Sequence, residues 1–152
     1  MKKLEIIIAA VVLLSAALHL LNFPLISVLL YISVFLMSSF YYVLGFALFN
    51  GVTFKGLFKK ESYKNTNAAK IIGAVIIGWA LSVLIIGSLI SMQKWPGGEL
   101  MLLIGLILFA TTFIVSGIFF LLKKDAYYTR VFTRVSFWGI IGALIYFIHF
   151  LN

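Results

Sequence analysis

From residue 6 to residue 54 the chain runs 49 residues without an Asp, Glu, Lys or Arg. As one helix this run would extend roughly 73 Å at 1.5 Å per residue. A bilayer's hydrocarbon core is only about 30 Å thick, so the run has to fold back once inside or at the edge of a membrane. Composition supports the same class. Hydrophobic residues make up 64% of the chain and charged residues 11%, with a mean hydropathy of +1.19. A water-soluble domain of 152 residues has too much wetted exterior for that balance. The expectation is an all-α integral membrane protein forming a single membrane domain over 1–152.

Asn22-Phe23-Pro24 is the natural place for the return. Proline lacks an N–H, pushes the preceding residue out of helical geometry, and suits a first helical position. This predicts helices over about 4–21 and 24–50. A third follows over 68–93, with Thr66 or Asn67 as N-cap. It is broken by Lys94-Trp95-Pro96-Gly97-Gly98, and a fourth runs over 99–122. The fifth is predicted over 131–149. The opening stretch has two lysines, an apolar run and Ser15-Ala16-Ala17, which also suits a cleaved secretory signal. Glu5 interrupts that pattern, so a retained first span is the reading adopted.

Five spans place the two chain ends on opposite sides. Eleven of the twelve Lys and Arg residues then fall on one side and Lys94 alone on the other. By the positive-inside rule the N-terminus is cytoplasmic and the C-terminus outside. The formal charge of +8 thus reads as an orientation signal that also attracts anionic headgroups at the cytoplasmic face. It is not a nucleic-acid footprint, since there is no basic globular surface to carry one. Within the basic loop, Phe54, Leu57 and Phe58 recur at i, i+3 and i+4 while Lys55 and Lys59 share another face. That spacing predicts a short segment lying in the headgroup layer.

Aligning Pro24 with Pro96 also brings Phe23 onto Trp95, Ile32 onto Ile104, Val43 onto Val115 and Gly45 onto Gly117. The predicted helix boundaries coincide as well. The chain therefore reads as two parallel hairpin repeats plus a fifth helix: a repeat over 1–50, a basic loop over 51–67, a second repeat over 68–122, a basic loop over 123–130, and the last helix over 131–152. The corners are Asn22, Phe23, Pro24 and Trp95, Pro96, Gly97. A partial third copy is read at the end of the chain, where "HFLN" at 149–152 matches "HLLN" at 19–22.

The segment "SLISMQKWPGGELMLLIGLILFA", residues 88–110, resembles the membrane hairpin of the L protein of the Bacteroidota gliding-motility and type IX secretion motor. The likeness is carried by Trp95-Pro96-Gly97 and by the Gly105-Leu106 step. It implies a bacterial origin and a shared hairpin style. In the motor protein the hairpin carries an intramembrane carboxylate used in proton coupling and precedes a long cytoplasmic region. Helix 4 here offers Ala110, Thr111 and Thr112 where such an acid would be sought, and no comparable tail follows. The resemblance therefore does not extend to the coupling chemistry.

Few residue types remain for chemistry. There is no cysteine, hence no disulfide and no thiolate metal site. Charged side chains inside a membrane are costly and usually functional, and the predicted spans have none near their middles. Glu5 and Glu99 are read as charges at helix N-termini. His19 and His149 are the candidates for a metal or haem iron, and interfacial hydrogen bonding is the other reading of both. Tyr41, Tyr42, Tyr127, Tyr128, Trp95 and Trp138 fit aromatic belts, and Trp79 fits a packing wedge. Small residues at four-residue spacing suggest close helix contacts, within the chain or with another subunit. These faces are Ala74, Gly78, Ser82, Gly87 and Ser91 on helix 3, Gly139 and Ala143 on helix 5, and Thr112 with Ser116 on helix 4. Together these features predict no enzyme and no cofactor. The functional expectation is an accessory or structural subunit of a larger bacterial inner-membrane complex, bound to another membrane protein or to copies of itself. The alternative is a transporter or motor-like component related to the hairpin family.

Overall fold

A computed structural model describes residues 1–64, 66–123 and 125–151 of the chain, with side chains described as far as residue 148. Among these residues there are five α-helices, two short 3-10 helices and no strand. The α-helices are α1 Lys2–Leu20, α2 Ile26–Phe49, α3 Ala68–Met92, α4 Gly98–Lys123 and α5 Ala126–Leu151. All five are long and apolar enough to cross a membrane. Their 19 to 26 residues correspond to roughly 28–39 Å.

Consecutive helices are antiparallel, as the cross-helix partners show. Ser15 meets Ser33 between α1 and α2, Ser38 meets Ser82 between α2 and α3, and Phe119 stacks on Tyr128 between α4 and α5. The central helix is α3, which packs on α2, α4 and α5. Small residues allow this. A Cβ on Gly78 would lie 2.5 Å from the Tyr41 carbonyl oxygen, and one on Gly105 would lie 2.7 Å from the Leu84 Cα. The α1 helix is peripheral, with its backbone packed on α2. Among the described residues the Cα atoms of α1 stay more than 8 Å from those of α5, so a cleft bridged only by side chains separates these two parallel helices.

Both tight returns lie at one end of the bundle, here called the proline end. The opposite, basic end holds the start of α1, the loop after α2 and the α4–α5 junction. The two returns share one backbone conformation at an offset of 72 residues. Asn22 and Lys94 have φ of 57° and 53°, and Leu25 and Gly97 have φ of 61° and 80°. Asn22 N and Phe23 N donate to the carbonyls of His19 and Leu18; Lys94 N and Trp95 N donate to those of Ser91 and Ile90. This is the Schellman arrangement, which satisfies the last carbonyls of a helix through a left-handed residue. Asparagine tolerates that residue's conformation and lysine does so at a cost.

Several expectations need correcting here. Neither proline is a first helical residue: each lies two positions before it, and Leu25 is the N-cap of α2. The fifth helix opens at Ala126 instead of near 131, which turns most of the predicted loop over 123–130 into helix. The cause is Asp125, whose carboxylate accepts from Tyr127 N at 2.9 Å. The segment after α2 is two 3-10 helices, Phe54–Gly56 and Lys60–Tyr63, with Phe58 fully exposed beside exposed lysines. Asn67 caps α3 by accepting from Lys70 N at 2.9 Å.

Candidate functional site

The chain's most organised polar cluster bridges the cleft between α1 and α5. Glu5 stands in the first turn of α1 and is only 6% exposed. Its Oε1 accepts from Arg134 Nε at 2.5 Å and its Oε2 from Arg134 Nη2 at 2.7 Å, a two-pronged guanidinium–carboxylate pair. Tyr41 of α2 donates its hydroxyl to Glu5 Oε1 at 2.7 Å and accepts from Trp138 Nε1 of α5 at 2.9 Å. Arg134 Nη1 also donates to the Arg130 carbonyl at 3.1 Å. The Tyr41 ring stacks on Phe49, and the Arg134 guanidinium lies over that same ring.

This cluster revises three sequence expectations. Glu5 is a buried ion-pair partner, not a charge that merely ends a helix. Arg134 lies eight residues into α5, roughly 12 Å from its start, because the helix opens earlier than predicted, which carries this charge deeper into the span. Tyr41 and Trp138 are core residues at 1% and 4% exposure rather than belt residues. Tyr127 is buried too, with the Lys70 ammonium over its ring. The residues missed were Arg134 as the partner and Asp125. Asp125 forms an ion pair with Lys70, tying the α4–α5 junction to α3. This bond, with help from Tyr127 N, holds the Asp125 carboxyl below the usual carboxylate range.

Around the pair the cleft opens into a space of about 980 Å³ that runs from the basic end past Glu5 and Arg134 toward the middle of the bundle. Its mouth carries Lys2, Thr129 and Arg130, and its walls carry Ile6, Ala10, Leu13 and Phe137. Arg130 Nη1 donates to the Phe49 carbonyl at 3.2 Å, and its guanidinium rests against Gly51. Gly51 has a φ of 75°, which ends α2 and leaves no Cβ in the way of the guanidinium.

A second cluster occupies the proline end. His19 Nδ1 lies 3.0 Å from Ser27 Oγ, and its Nε2 lies 3.0 Å from Gln93 Nε2. Gln93 Oε1 accepts from Tyr31 at 3.0 Å, and the Tyr31 ring lies 5.9 Å from that of Trp95. Since the amide nitrogen is a donor, His19 Nε2 accepts and Nδ1 donates to Ser27. Both ring nitrogens are thus taken by protein groups, and the cluster joins the first return to the second. The His149 side chain and the "HFLN" match lie outside the described residues. Among the described residues no group of three His, Asp or Glu side chains could hold a metal ion.

The corner residues Phe23 and Trp95 are each more than half exposed, and Asn22, Pro24, Pro96 and Gly97 are also exposed. Ala74, Gly78, Ser82, Gly87 and Ser91 are all buried inside the chain. Gly139 is buried against Phe109. Ala143 is exposed; its neighbour Gly142 is the residue that meets Leu84. Trp79 stacks on Tyr42 at 5.5 Å and both rings are about half exposed. On α4, Ala110 and Thr111 face outward, while Thr112 bonds to the Leu108 carbonyl and Ser116 is buried.

Residues 76–136 match the family model described as the GldL N-terminal domain. The match takes in most of α3, the second return, α4 and the start of α5, or 61 of the 152 residues (136 − 76 + 1). It is a local likeness that reaches beyond the 88–110 segment on both sides. Arg130 and Arg134 fall within it, whereas Glu5, His19 and Tyr41 do not. No curated protein matches the chain, and neither does any solved structure.

Proposed function

We propose that this chain is a non-catalytic multi-pass subunit of a bacterial inner-membrane complex, of the kind to which the gliding-motility and type IX secretion motor belongs. The observation that carries the reading is the GldL N-terminal domain match over residues 76–136. It suggests a membrane component that works beside other subunits. The polar chemistry is in keeping with a structural part. Glu5 is closed by three donors and both nitrogens of His19 are engaged, so neither cluster presents an open catalytic group.

The finer features belong to the same proposal. The basic end faces the cytoplasm, and the C-terminal end of α5 faces outward. The exposed Phe58 among lysines dips into the headgroup layer. The α1–α2 and α3–α4 hairpins are copies of one unit; their returns share dihedrals and hydrogen bonds at a constant 72-residue offset, which supports this. The exposed Ala143 face of α5 is available to another subunit. A motor-like role is the second reading, favoured by the same family match.

Purification in mild detergent with mass spectrometry tests the reading. Co-purification of a stable, stoichiometric membrane partner is the expected result. Isolation as a lone polypeptide, with specific proton flux in liposomes under an imposed gradient, would instead establish the second reading. Orientation is tested with Lys60→Cys and Trp95→Cys in spheroplasts. An impermeant thiol reagent should label position 95 and spare position 60, and the reverse pattern would overturn the assignment.

A further inference from the structure

We infer that the cleft between α1 and α5 is a binding site for one anionic phospholipid, its phosphate held at Lys2 and Arg130 and an acyl chain lying along the cleft wall. This does not depend on which complex the chain joins.

Three observations converge on that occupant. The first is the ordering of charge along the cleft. Its mouth at the basic end holds Lys2 and Arg130, while deeper in, Arg134 is already neutralised by Glu5. The net charge offered at the mouth is therefore positive. Arg130 spends one N–H on the Phe49 carbonyl, and the remainder of its planar fork suits a phosphate. The second is the lining beneath the mouth, where Ile6, Ala10, Leu13 and Phe137 make an apolar track. A basic mouth above an apolar track is the pattern of an amphiphile, and a free anion would have no use for the track.

The third is steric. Glu5 and Arg134 meet across the cleft over Tyr41, forming a bar over its floor. A transmembrane helix is about 10–12 Å across with its side chains and would have to break this bar to lie on the floor. A single acyl chain is slim enough to run beside it. The apolar face of a seated helix would also leave Lys2 and Arg130 without a counterion, whereas a phospholipid brings its own countercharge to them.

Native mass spectrometry of the purified full chain tests the site, with added phosphatidylglycerol compared against phosphatidylcholine. Wild type should retain one phosphatidylglycerol at energies that strip phosphatidylcholine. At about 1 kcal/mol per basic residue near a membrane surface, the Lys2→Gln/Arg130→Gln variant should bind roughly thirtyfold more weakly. A Lys59→Gln/Lys60→Gln variant removes the same charge outside the cleft and should bind like wild type. Equal loss in both variants would reduce the effect to general surface attraction and overturn the site. Retention of both lipids alike, or equal competition by soluble glycerol phosphate, would overturn it as well. A photo-crosslinker at Ala10 gives an independent readout in native membranes. Lipid adducts are expected there, and adducts to a protein would replace the lipid with a partner helix.

Discussion

Replacing Arg134 with methionine should unfold this protein far more readily than its position in the sequence suggests. The substitution keeps the apolar stem and removes two charge-assisted bonds, at 2.5 and 2.7 Å, from a carboxylate that is 6% exposed. Hydrogen bonds to charged groups contribute about 1.5–3 kcal/mol each. Breaking a buried pair by removing one partner costs about 3–5 kcal/mol, so the two routes overlap at that value. For a chain of this length each kcal/mol moves Tm by about 2–4 °C, which predicts a fall of about 6–20 °C. Glu5→Met should cost a similar amount, because it strands the guanidinium. The double variant should recover most of the loss, since replacing both members of a buried pair with apolar residues is often close to neutral. The Tyr41 hydroxyl would lose its acceptor while still accepting from Trp138, leaving a residual cost of about 1 kcal/mol. Thermal unfolding in mild detergent, followed by fluorescence-detected size exclusion, reads all four proteins. Strictly additive losses in the double variant would refute the coupling. Shifts of under about 2 °C in both single variants would show that the pair adds no stability.

The Lys70–Asp125 pair is partly exposed and should contribute under about 1 kcal/mol. Because the folded-state pKa of Asp125 is lowered, that contribution is present above the unfolded value of about 3.9 and fades as pH falls through the folded pKa. Asp125→Asn keeps an N-cap side chain, so wild type should exceed it in Tm at pH 6 and the gap should close toward pH 3; a gap constant with pH would contradict the ion pair. Gly78→Ala should destabilise by about 1–3 kcal/mol, because its Cβ would lie 2.5 Å from the Tyr41 carbonyl oxygen and force α2 from α3. Ala143→Leu adds bulk at an exposed position and should leave the Tm of the isolated chain unchanged. Equal losses in these two variants would disprove the assignment of which small residues pack internally.

The membrane class, the number of spans and the site of each return were legible from the chain because they rest on local properties. An uncharged run of 49 residues must turn back whatever its neighbours do, and the Asn-Phe-Pro and Lys-Trp-Pro-Gly steps mark where. Asn67 showed itself as a cap for the same reason. Asp125 was equally visible, in "KKDAYY", and its cap explains why α5 starts early. The buried polar cluster was not legible. In a membrane the lipid is as apolar as a protein core, so hydrophobic spacing does not separate inward from outward faces. Tyr41 and Trp138 therefore fit a belt as well as a core, Glu5 fits a helix N-terminus, and Arg134 is one of eleven basic residues on the side assigned to the cytoplasm. Only the tertiary arrangement brings residues 5, 41, 134 and 138 together, because parallel α1 and α5 flank α2 closely enough for their side chains to meet across the cleft. It also decided which small residues are used. Gly78 and Gly105 sit against a neighbouring backbone, while Ala143, at equally regular spacing, points away from the bundle.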